Sequence, residues 1–102
     1  MLGDLFGNME EQQKELREKL AQIRVQTEVE DGAIRVEANA NRELLQLSID
    51  PALLKAGDAE QLEDLLLVAI NRVLEEAAAK EQEVVQAGLK DMLPPGLEGL
   101  LG

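Results

Sequence analysis

The sequence predicts an α+β fold, an α-β-β-β-α protomer with a three-stranded antiparallel meander between an N-terminal helix and a long C-terminal helix. Three observations predict it. Two runs of alternating apolar and polar residues flank Asp31-Gly32, a pair suited to the positive-φ positions of a tight hairpin turn. A third alternating run follows at once. Beyond it, Asp58 opens about 30 residues with apolar positions at helical spacing, ending at Pro94-Pro95-Gly96.

Residues 1–7 hold two glycines and no useful period, so a flexible lead is expected there. The first helix is expected over 8–22. Asn8 can cap it, Glu11 stands at the spacing that answers such a cap, and Met9, Leu16, Leu20 and Ile23 recur as a narrow apolar stripe. A stripe this thin suits a two-helix seam or an arm better than a helix sunk in a core.

Strands are expected over 23–30, 33–40 and 43–49. In the first hairpin the two-residue loop sets Val29 against Ile34, Thr27 against Val36 and Val25 against Ala38, all on one face. The same register pairs Glu28 with Arg35 on the other face. A two-residue turn at Asn41-Arg42 would set Ala38 against Leu45, Val36 against Leu47 and Ile34 against Ile49. Asn41 tolerates a left-handed backbone better than Arg42 does, so a longer loop with a bulge is the alternative.

Asp50-Pro51 reads as a cap and a first-turn proline for a short turn over 51–55 that Gly57 ends. Asp58, with Gln61 at the box position, then starts a helix expected over 58–91. Its early part is apolar on most sides, through Leu62, Leu65, Leu66, Leu67, Val68, Ala69, Ile70, Val73 and Leu74. One small sheet covers one stripe of a helix, so the remaining apolar surface calls for a second copy of the chain. Leu65, Leu66, Val68, Ala69, Ile70 and Val73 are the expected dimer interface. A helix of this length spans ~45 Å and must leave so small a globule as a rod. Elements 8–93 form one domain, and 94–102 are expected to be a flexible tail.

Composition narrows the chemistry. The chain has 102 residues, no His, Cys, Trp or Tyr, and Phe6 as its one aromatic residue. Imidazole bases, thiolate nucleophiles and soft-ligand zinc sites are therefore missing, and Ser48 and Thr27 have no histidine to activate them. No catalysis and no cofactor are expected. Acid clusters at Glu60, Glu63 and Asp64 and at Glu75, Glu76, Glu81 and Glu83 read as solvated helix faces, without a metal-binding loop. The longest apolar run, Leu65 to Ile70, falls far short of the ~18 residues of a membrane span, and no leader is visible. A soluble cytoplasmic protein is expected.

Ten Lys and Arg stand against 21 Asp and Glu, a formal net charge of −11. That excess repels phosphate backbones on average. Lys14 and Arg17 share one face of the first helix, with Lys19 off that face and Glu15 and Glu18 interleaved. Intrahelical ion pairing is one reading of them; presentation to a duplex backbone by paired arms is the other. No base-reading motif is present, so nucleic-acid binding would rest on backbone and shape.

The order and spacing of several short motifs resemble the YbaB/EbfC family of bacterial nucleoid-associated proteins. They are Leu5-Phe6-Gly7, the hairpin at Asp31-Gly32, Ile34-x-Val36, Asn39-x-Asn41, Leu47-Ser48-Ile49-Asp50-Pro51-Ala52-Leu53-Leu54, Glu63-Asp64-Leu65 leading to Ala69-Ile70-Asn71, and Leu93-Pro94-Pro95-Gly96. The resemblance implies a tweezer-like homodimer with projecting helices. It also implies a non-enzymatic protein that binds double-stranded DNA with low sequence specificity, at the nucleoid, and affects nucleoid organisation and gene expression. By that resemblance Lys14, Arg17 and Lys19 are the first candidate DNA contacts, with Lys80 and Lys90 after them. A different class remains open: an acidic homodimeric interaction module in DNA repair or replication assemblies, with weak or no DNA binding.

Overall fold

Alternation and turn chemistry build the sheet, and the helices follow from what the sheet leaves uncovered. The structure, a computed structural model, describes residues 2–92 and Gly96. The chain runs α1 (Leu2–Ala21), β1 (Arg24–Val29), β2 (Ile34–Asn39), β3 (Leu44–Ile49), α2 (Pro51–Lys55) and α3 (Ala59–Met92). The sheet is an antiparallel meander in the order β1-β2-β3.

The first hairpin has the register read from the sequence. Val29 faces Ile34, Thr27 faces Val36, Val25 faces Ala38 and Glu28 faces Arg35. Asp31 and Gly32 take φ of 55° and 86°, and the Ala33 amide donates to the Glu30 carbonyl at 3.1 Å, closing the turn. The Glu28 and Arg35 side chains meet at 3.3 Å, a half-exposed pair of the kind that contributes at most about 1 kcal/mol.

The second hairpin takes the longer of the two routes. Ile34 faces Ile49 and Val36 faces Leu47 as expected, but Ala38 faces Leu44, not Leu45, and a bulge separates this pair from Glu37–Gln46. Arg42, at φ 63°, occupies the left-handed position. The reason lies in Asn39, which is buried: its side-chain oxygen accepts from the amides of Asn41 and Glu43, at 3.0 and 3.2 Å. Those bonds span a three-residue loop and push the left-handed residue to Arg42.

α3 crosses β1 and β2 and leaves β3 uncovered on that side. The core is Val25, Val29, Ile34, Val36 and Ala38 from the sheet against Ala69, Val73 and Ala77 from α3. Small residues four apart bring that stripe of the helix close to the sheet. Caps set the helix starts: the Asp50 carboxylate accepts from the Ala52 amide, with Pro51 in the first turn, and the Asp58 carboxylate accepts from the Gln61 amide.

One boundary differs by a turn and a half. Helix α1 starts at Leu2, so 2–7 are helical and not a loose lead, and Asn8 lies inside the helix where it cannot cap it. Gly3 and Gly7 lower helix propensity without stopping the helix; neither has a positive φ, and no proline intervenes. The expected tail lies outside the described residues except for Gly96.

Candidate nucleic-acid interface

Helix α1 is charged on most sides and buries little. Leu20 is 3% exposed, Leu16 and Ala21 are half-buried, and the other described side chains of α1 are exposed. The helix is therefore an arm fixed near its last turn. Lys14 and Arg17 lie on this arm, three residues apart on one exposed face, and Lys19 is exposed on another.

The arm is fixed by the β2–β3 loop. The Ala40 amide is shared between the carbonyls of Leu20, at 3.2 Å, and Ile23, at 3.0 Å. The Asn41 side-chain amide donates to the Arg17 carbonyl at 2.9 Å. These donors tie the loop to the last turn of α1, where the Leu20 carbonyl also accepts from the Ile23 amide at 3.2 Å. The neighbouring Arg42 guanidinium reaches Glu81 on α3 at 3.6 Å. Gln13, Leu16, Arg17, Leu20, Asn41 and Glu81 line a cleft of about 210 Å³ where the two helices meet the loop.

Ion pairing separates the cations into two groups. Arg24 pairs with Glu37 at 2.6 Å, Arg35 with Glu28, Arg42 with Glu81, and Lys80 with Glu83 at 3.4 Å. Among the described residues, Lys14, Arg17 and Lys19 make no ion pair, so the contacts with Glu15 and Glu18 that one of the two readings called for are not formed. Lys90 lies near the end of α3, ~15 Å beyond Lys80 along the helix axis. Arg17 thus lines the cleft together with the acidic Glu81, while neither Lys80 nor Lys90 is among its lining residues. Among the described residues no three carboxylates converge as a metal site, and no helix is long and apolar enough to cross a membrane.

The residues expected at a dimer interface fall into three groups. Ala69 and Val73 have no exposed surface and belong to the core of their own protomer, because α3 turns that small-residue stripe onto the sheet. Leu65, Leu66 and Ile70 are half-buried against the same core. Val68 is exposed, and beside it on α3 Leu67 is 60% exposed. The leucines of β3 were not among the expected interface residues, yet Leu44, Leu45 and Leu47 are each about half exposed. Their alternation was visible, but not that α3 would stop short of them.

Residues 2–92 match the YbaB/EbfC DNA-binding family. A nucleoid-associated protein of Acidobacterium capsulatum is 35% identical over 103 residues, covering 91% of this chain and 92% of that protein. One of Chloroflexus aurantiacus is 37% identical over 99 residues, covering 97% and 94%. Among solved structures, the uncharacterized protein HP0035 of Helicobacter pylori aligns with a TM-score of 0.64 at 25% identity, covering 79% of this chain and 94% of that one.

Proposed function

Since the chain belongs to the YbaB/EbfC DNA-binding family, we propose that it binds double-stranded DNA as a homodimer, with low sequence specificity and no catalysis. By this reading it acts at the nucleoid, in the cytoplasm, and affects nucleoid organisation and gene expression. The observation that carries it is the arm: a projecting helix whose Lys14, Arg17 and Lys19 are exposed and free of ion pairs among the described residues. Two such arms grip phosphates from both sides of the duplex, while Lys80 and Lys90 add weaker contacts from α3. No base-reading side chain is required, so binding tracks the backbone.

The exposed apolar surface supports the homodimer. Leu47 on β3, Leu54 on α2 and Leu67 and Val68 on α3 leave a large apolar area without an intramolecular partner, and a second copy covers it. Leu47→Glu together with Leu67→Glu yields monomers in analytical ultracentrifugation if this surface is the interface. Dimers at micromolar concentration would move the interface elsewhere.

The test of DNA binding is titration of a duplex at several salt concentrations. With six arm cations engaged per dimer, the logarithm of affinity falls against that of salt with a slope of about −5. Charge reversal at Lys14 and Arg17 weakens binding and flattens the slope. Absence of any complex at micromolar protein and low ionic strength sinks the reading. The net charge of −11 and the acidic surface of α3 favour a second one, an acidic docking module for DNA repair or replication proteins. That same null titration is its signature.

A further inference from the structure

The direction of the α1 arm is set by two attachments, and a helix held at one point pivots while a helix held at two points along its axis does not. The first attachment is at the helix end, where Leu20 is buried and the Ala40 amide meets the carbonyls of Leu20 and Ile23. The second is one turn earlier, ~4.5 Å along the axis, where the Asn41 side chain donates to the Arg17 carbonyl. Asn41 is itself held: its amide donates to the buried Asn39, whose side chain also accepts from the Glu43 amide and donates to the Glu43 carboxylate at 3.1 Å. On the far side, Arg42 ties the same loop to Glu81 of α3.

We propose that Asn41, braced by Asn39, is a positioning residue that fixes the angle of the α1 arm and so the placement of Lys14 and Arg17 on DNA. The carbonyl it grips belongs to Arg17, so the bond constrains the backbone of a residue proposed to touch phosphate. Lys14 lies ~9 Å from Leu20 along the helix, so a swing of about 20° displaces it by ~3 Å, the full length of a charge-assisted hydrogen bond. The consequence for DNA rests on the reading of α1 as a DNA-contacting arm; the consequence for arm angle does not.

The chain has no native cysteine, so spin labels can be placed at Gln12→Cys on α1 and Ser48→Cys on β3, both exposed. Doubly labelled protein diluted with unlabelled protein reports the distance within one protomer. Asn41→Ala broadens that distribution and shifts its mean by ~4 Å, the arc swept at Gln12 by the same 20°. Asn41→Asp, which keeps the side-chain shape but cannot donate, does the same and serves if the alanine variant fails to fold. Asn41→Ala weakens DNA binding roughly three- to tenfold with little change in salt slope, because every arm cation is retained. Asn41→Asp adds a charge beside Arg17 and is read for arm angle alone. Lys14→Ala by contrast lowers the slope by about 1 per arm. An unchanged distance distribution overturns the proposal. A broadened one with unchanged affinity overturns the DNA part of it. If the distribution broadens and the unmodified protein itself binds no DNA, the arm angle is set as proposed and the DNA-binding reading is what fails.

Discussion

Helices α1 and α3 both carry an apolar stripe, narrow on α1 and broad in the early part of α3, and end in different situations. α3 lays Ala69, Val73 and Ala77 on the sheet with no exposed surface, whereas α1, 20 residues long, buries Leu20 alone among its described side chains. An apolar stripe is thus permission to pack and not an instruction. What decides is which facing surface lies within reach: α3 takes the β1–β2 part of the sheet's helix side, and α1 meets the molecule at the β2–β3 loop. α1 is left with backbone bonds at its root, which makes it projecting and orientable.

The largest effect that tests this contrast is in the core. Ile34→Ala removes a fully buried side chain facing α3 and is expected to cost about 3 kcal/mol in urea unfolding, while Met9→Ala on the arm costs under ~0.5 kcal/mol. Comparable losses at the two sites would mean that α1 is packed and not projecting. Next comes Leu20→Ala, expected to cost about 2 kcal/mol and to raise amide exchange along α1 while β2 stays protected. Uniform loss of protection would show that the arm and the sheet unfold as one unit.

A smaller effect has the opposite sign. The Thr27 hydroxyl is buried under α3 without a hydrogen-bond partner among the described residues, so Thr27→Val raises stability by about 1 kcal/mol in the same unfolding experiment. A destabilised variant would reveal a partner for that hydroxyl. The smallest concerns the arm again. A Cβ at Gly7 meets nothing within 4 Å, so Gly7→Ala stabilises the outer turns of α1 by ~0.8 kcal/mol, seen as slower amide exchange there and little change at α3.

The register of the first hairpin was legible because alternation and Asp31-Gly32 specify it independently, whereas the left-handed backbone at Glu30, φ 54°, was not. The second was half legible. Leu47 and Ile49 fall opposite Val36 and Ile34 as the pattern requires, but the choice between a two- and a three-residue loop depends on Asn39, whose bonds to Asn41 and Glu43 no periodicity reports. In α3 the pattern showed more apolar surface than one sheet could cover. It did not show that Ala69 and Val73 face inward, although Ala69, Val73 and Ala77 at spacings of four mark a stripe small enough for close approach. Their spacing placed Lys14 and Arg17 on one face of α1, and both are exposed there. The latch that aims them was not legible, because it joins residues 24 apart in the chain.

The bulge in β3 has a consequence beyond the protomer. A flat edge strand studded with leucines is a template onto which further strands can add without limit, as in fibrils. The extra residue at Leu45 breaks the ladder between Glu37–Gln46 and Ala38–Leu44, and a bulge twists the strand away from flat pairing. The bulge therefore works against open-ended strand addition along this greasy edge, and a deletion that straightens β3 is expected to turn the chain toward insoluble assembly.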